Sequence, residues 1–176
     1  MWEHGLPAKG NFVGLLYNEP SQCLVASFQE KFDDQQWSED LYYRHRTSTQ
    51  YRQVPGSGAG IHYAHVVSSA KLPIILFNVT RWSEHGGDWE SLSSFNLTTL
   101  ELRTEVTRAS FCEPEFEGVW VSSLISARED ASSVFCTVAF EKRLISGDLK
   151  VDYWLCELRL ADFALTKITS LGNIFA

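Results

Sequence analysis

One strand–turn–strand pattern is written three times in this chain, and that repetition limits the fold more than any other feature. The stretch "DWESLSSFNLTTLELRTEV" (residues 88–106) is echoed by "VDYWLCELRLADFALTKIT" (151–169) and, more faintly, by "QWSEDLYYRHRTSTQYRQV" (36–54). Ahead of these lie three further strand-like stretches that begin at Phe12, Tyr63 and Trp120, at successive offsets of 51 and 57 residues. Second strands follow from Cys23, Ile74 and Val134, at offsets of 51 and 60. Within the quoted stretches one face of the alternation reads Leu41, Tyr43, His45, then Ser93, Phe95, Leu97, then Cys156, Leu158, Leu160, and the opposite face is more polar. Period-two alternation marks a strand with one face better buried than the other. A turn and a fourth strand complete each unit, ending near Val54, Val106 and Ile168.

The repeat holds where a core must be built and drifts in the polar connections "QEKFDDQQ", "TRWSEHGGD" and "EKRLISGDLK". Insertions between strands are cheap, which accounts for the growing offsets. The aromatic share of 13%, with six Trp, eleven Phe and six Tyr, suits pleated, half-buried surfaces and leans towards β. Four short antiparallel strands repeated every 50 to 60 residues, with no helical pattern between them, describe β-propeller blades. The expectation is an all-β chain forming one propeller-type domain over residues 1–176, with blades at about 11–55, 61–108 and 118–171. A two-sheet β-sandwich is the competing fold.

In "YWLCELRLADFALTKITSL" (153–171) and "LSSFNLTTLELRTEV" (92–106) the chain resembles TolB-like β-propeller repeat proteins. Their third and fourth strands read aromatic–Leu–x–x–aliphatic–x–Leu, turn, Leu–x–x–Ile. The Pro-Asp-Gly turn common before the second strand of such blades is replaced here by "NEPSQ", "AKLP" and "AREDAS". The resemblance is architectural, covers nearly the whole chain, and implies the fold.

Closed propellers typically hold about four to eight blades, so three leave two apolar blade faces without a neighbour. Two arrangements satisfy those faces. A second chain related by a two-fold axis completes a six-bladed ring, joining blade one of each copy to blade three of the other. Alternatively, the chain is half of a longer propeller, with "GNIFA" (172–176) opening a further blade.

A formal charge of −7 with no Lys/Arg run argues against nucleic acid as a partner. Arg44, Arg46 and Arg52 form a small local basic face, read as the solvated edge of a strand. The four cysteines show no Cys-x-x-Cys spacing, so neither zinc nor redox chemistry is signalled, and they read as buried thiols of a reducing compartment. No stretch has the length and apolarity of a membrane span. "MWEHGLPAKGNF" lacks the basic and apolar regions of a signal peptide, so a cytoplasmic location is expected.

The densest polar–aromatic cluster is "RWSEHGGDW" (81–89), a loop carrying Trp82, Glu84, His85 and Asp88. With Trp37, these residues are the candidates for contact with a partner, and Trp2 is a further exposed-aromatic candidate. Glu113, Glu115 and Glu117 in "CEPEFEG" would share one side of an extended strand, a candidate cation or basic-partner site against the commoner solvated loop. His62 and His65, three apart on a strand, point to opposite faces and do not chelate together. "PGSGAG" (55–60) lacks the Lys-Ser/Thr ending of a phosphate loop and reads as a connector. No nucleophile elbow or catalytic triad spacing is present, so no catalytic residue, metal or cofactor is assigned. The functional expectation is a non-enzymatic binding or assembly module, associating with a protein partner or with itself as a homodimer. The alternatives are a fragment of a propeller hydrolase or lyase, and a glycan-binding propeller.

Overall fold

A computed structural model describes residue 6 and residues 10–31, 37–56, 60–83, 86–111 and 115–175. The described residues are all-β apart from one 3-10 turn, Arg108–Ser110. The first four strands are β1 (Gly10–Asn18), β2 (Cys23–Lys31), β3 (Trp37–His45) and β4 (Arg52–Gln53). Then come β5 (Ile61–Ser68), β6 (Ile74–Ser83), β7 (Gly86–Asn96) and β8 (Leu102–Thr107). The last four are β9 (Gly118–Ala127), β10 (Ser133–Arg143), β11 (Leu149–Arg159) and β12 (Leu165–Phe175). Each group of four is an antiparallel meander in which every strand pairs with the next.

The strands of the quoted repeats therefore exist as read, but several details differ. The fourth strand of the first meander is only two residues long, where a full strand was expected. Because β4 covers β3 only at Tyr42 and Tyr43, the earlier half of β3 keeps an open edge. There Glu39 meets His62 of β5 in a single parallel pair, which merges the first two meanders into one eight-stranded sheet. The third meander is a separate four-stranded sheet. "GNIFA" opens no new strand, since residues 172–175 extend β12 against β11.

The core consists of two seams between stacked meanders. In the middle meander Ile75, Leu76 and Phe77 are consecutive and at most 1% exposed, so β6 is dry on both faces. Ile75 and Phe77 join Val25, Leu41, Tyr43, Phe95 and Leu97 in the first seam. Leu76 joins Leu92, Val106, Val121, Cys136, Val138 and Leu158 in the second. The first seam is aromatic: the rings of Tyr63 and Phe77 lie 4.8 Å apart, and those of Tyr43 and Phe95 5.3 Å apart. The second is mostly aliphatic, closed at one end by Phe116 against Phe140 at 5.0 Å with the Lys167 ammonium 3.9 Å over the Phe140 ring.

These seams also correct the sequence alignment by one residue. Leu41 and Tyr43 were matched with Ser93 and Phe95, yet Leu41 faces the second meander while Phe95 faces the first. Leu76 and Cys136, also matched, lie on opposite sides of the same seam. A one-residue slip along a strand moves a side chain to the other face.

Candidate functional site

Of the expected loop at residues 81–89, residues 81–83 and 86–89 belong instead to strands β6 and β7. Strands β6 and β7 run on until Ser83 pairs with Gly86 and Trp82 with Gly87, because the polar residues there still sustain a ladder. Glu84 and His85 lie outside the described residues, as do Trp2 and the side chains of Trp37 and Trp82. Asp88 is exposed, and its Oδ1 lies 3.5 Å from Nη2 of Arg108. The neighbouring Trp89 is buried, and its indole N–H donates to Asn78 Oδ1 at 3.4 Å. Among the described residues, the ion pair with Arg108 is the contact that Asp88 makes.

Other sequence candidates resolve into local roles. Glu115 and Glu117 are neutralised by Lys142 at 3.9 Å and Arg143 at 3.2 Å on the neighbouring end of β10, and Glu113 lies outside the described residues. His62 is buried, while His65 is exposed, with φ of 54° in a bulge of β5. Gly56 and Gly60 adopt φ of 87° and 78°, as expected of a connector. Tyr63 donates its hydroxyl to the carbonyl of Pro55 at 2.8 Å, tying that connector to the first seam. Burial, then the charge of Asp40, pushes the Tyr63 hydroxyl up to about 12. Among the described residues no three His, Cys, Asp or Glu side chains come together as metal ligands would. Nor is any helix among them long and apolar enough to cross a membrane.

The sheet faces at the two ends of the stack are the more conspicuous surfaces. On the outer face of the first meander, register places Phe12 opposite Phe28, Leu15 opposite Ala26 and Tyr17 opposite Leu24. Phe12 is 60% exposed and Leu15 58%, so this face is bare along β1. Over β3 it is closed: Asp40 and Tyr42 are buried there. The rings of Phe12, Phe28 and Tyr42 form an edge-to-face ladder with centroid spacings of 5.7 and 5.8 Å. On the outer face of the third meander, Phe135, Val151, Tyr153 and Leu155 are only half-buried, and Ile174 is 58% exposed. Period-two alternation announced that such faces exist but did not say which residues would line them.

A cleft of about 240 Å³ opens between β1, β2, β3 and β5, with Val25 and Leu41 as its floor and Glu39, Ser27 and His65 as its polar wall. Burial first, and the adjacent charge of Asp40 second, raise the Glu39 carboxyl above the usual carboxylate range. Sequence reading passed over Glu39; its one signal was a pair of acids, Glu39 and Asp40, inside an alternating apolar strand.

No family model matches this chain, and no curated protein sequence does. Among solved structures it is similar to the β-propeller domain of the Trilobed protease from Pyrococcus furiosus, described as having an open velcro topology. The two are 9% identical with a TM-score of 0.46, and the match covers 92% of this chain and 58% of the other. This chain spans little more than half the length of that one.

Proposed function

We propose that the chain is a non-enzymatic binding and assembly module whose three meanders are propeller-type blades and whose end faces take up a second copy of itself. One observation carries this reading: the middle meander is buried on both faces at the centre of its sheet, over residues 75–77 of β6 and 91–95 of β7, whereas the outer faces of its neighbours are bare over Phe12, Leu15 and Ile174. Exposed apolar area of this kind usually marks an interaction surface.

The two seams inside the chain show what such a face accepts. In each the first strand of the later meander packs against the earlier one: β5 against β3 and β1, then β9 against β5, with β6 and β7 beside it. A third seam of the same kind needs the outer face of meander three against the outer face of meander one. Within one chain these are opposite ends of the stack. Two copies about a two-fold axis satisfy both ends at once and give six meanders, within the range of about four to eight blades in closed propellers.

Light scattering tests the reading directly. The expected mass is double the 20.0 kDa of one chain, reduced to a single chain by Leu15→Lys, with circular dichroism unchanged. A stable monomer of the native sequence at all concentrations would overturn it.

A further inference from the structure

The arginines divide into two populations. Arg81, Arg103, Arg108, Arg128, Arg143 and Arg159 each meet a carboxylate oxygen within 3.5 Å. Among the described residues, the other three, Arg44, Arg46 and Arg52, have no ion-pair partner. In a chain with 22 acidic and 15 basic residues, three unneutralised guanidiniums within nine positions form a local exception.

Arg44 and Arg52 line a cleft of about 470 Å³ between the first and second meanders, and among the described residues no carboxylate lines it. Tyr43 and Leu97 form a buried apolar floor, and His45, Gln50 and Thr98 stand at the walls. Two of the basic groups are partly committed. Arg44 donates to the carbonyl of Ser48 at 2.8 Å and lies over the Tyr51 ring, and the His45 ring nitrogen Nδ1 lies 2.7 Å from Thr47 Oγ1. Arg52, opposite Tyr43 in the ladder and exposed, keeps its whole guanidinium for a ligand. Such a planar fork suits a phosphate or carboxylate oxygen pair.

The rim supplies a second, apolar feature. Leu100 holds φ of 61°, a left-handed conformation that glycine or asparagine adopts at little cost and leucine does not. Leu100 is 43% exposed and lines the cleft. The cleft therefore pairs unneutralised donors with an apolar floor and rim, and is larger than an inorganic anion needs.

We propose that this cleft binds a small organic phosphate, with Arg52 on the phosphate group and Tyr43, Leu97 and Leu100 against its apolar part. The site goes beyond the assembly role above and does not depend on it.

The test is a ¹H–¹⁵N NMR titration of the full chain with phenyl phosphate, inorganic phosphate and phenol. Phenyl phosphate is expected to saturate, with shifts confined to residues 44–52 and 97–100, and to bind more tightly than inorganic phosphate. Phenol is expected not to saturate. Arg52→Ala and the gentler Arg52→Gln should each weaken phenyl phosphate roughly tenfold, the loss of a charge-assisted hydrogen bond. Arg159→Ala, whose guanidinium belongs to Asp162, should leave binding unchanged. Absence of saturation, equal binding of phenol, or equal effects of the Arg52 and Arg159 substitutions would each overturn the proposal.

Discussion

The middle and end meanders are built alike and buried unlike. Strand β6 of the middle one buries Ile75 and Phe77 on one side and Leu76 on the other, each at most 1% exposed. Strand β1 of the first buries Asn18 but leaves Phe12, Val13, Leu15 and Tyr17 about half exposed or more. A strand covered on both faces reads as a continuous apolar run, here "IILF", and one covered on a single face reads as alternation. The comparison teaches that stability resides at the seams, while the end faces hold apolar surface that contributes little until something covers it.

The largest test of that division is truncation on either side of it. Phe77→Ala should cost about 3–5 kcal/mol, because the ring packs tilted against Tyr63 and a cavity in the first seam cannot collapse fully. Leu15→Ala, measured by urea unfolding at concentrations where the chain is monomeric, should change stability by less than about 0.5 kcal/mol. Similar costs for the two would erase the distinction between seam and end face.

A substitution at the margin of the first seam comes next. Gly56 holds φ of 87°, and a Cβ there would lie 2.6 Å from the Tyr63 hydroxyl, which is fixed by its bond to Pro55. Gly56→Ala should cost about 2–3 kcal/mol, combining left-handed backbone strain with displacement of that hydroxyl. In the Tyr63→Phe background the steric part is relieved, so the double-mutant cycle should show a coupling of about 1 kcal/mol. Strict additivity in thermal unfolding would show that strain alone sets the cost.

Alternation along the chain revealed twelve strands in their order but not which neighbour each face meets. Leu41 and Phe95 illustrate the reason. Both are buried at an aromatic seam, and nothing local distinguishes the residue looking forward from the one looking back. Polar hairpins were read as loops at residues 81–89 and 141–150, because ladder hydrogen bonds do not require apolar side chains and continue to Ser83 and Arg143. The acids in "CEPEFEG" looked unpaired for a related reason. Arg143, which neutralises Glu117, is distant in sequence and is brought alongside only by the pairing of β9 with β10. The basic group around Arg52 was legible as a cluster. That its members lack carboxylates among the described residues, when every other arginine has one, depends on packing.

Alkaline pH provides the finest probe of the seams. Burial raises Tyr63 in the first seam from 10.0, and Cys136 in the second from 9.0, each to about 12. Tyr42, buried beneath the end face, rises to about 12 for the same first cause. In each case the folded chain holds its proton longer than the unfolded chain does. Stability from these groups is therefore complete below about pH 9 and declines as pH rises from 9 towards 12, where the unfolded chain ionises first. Tyr63→Phe should lower stability at neutral pH by about 1 kcal/mol, the net value of its bond to Pro55, and make the alkaline decline shallower. Urea midpoints measured from pH 7 to 11 give both quantities from one series. A decline of unchanged steepness in Tyr63→Phe would assign the alkaline sensitivity to Cys136 and Tyr42, and would leave the first seam with no titrating group of consequence.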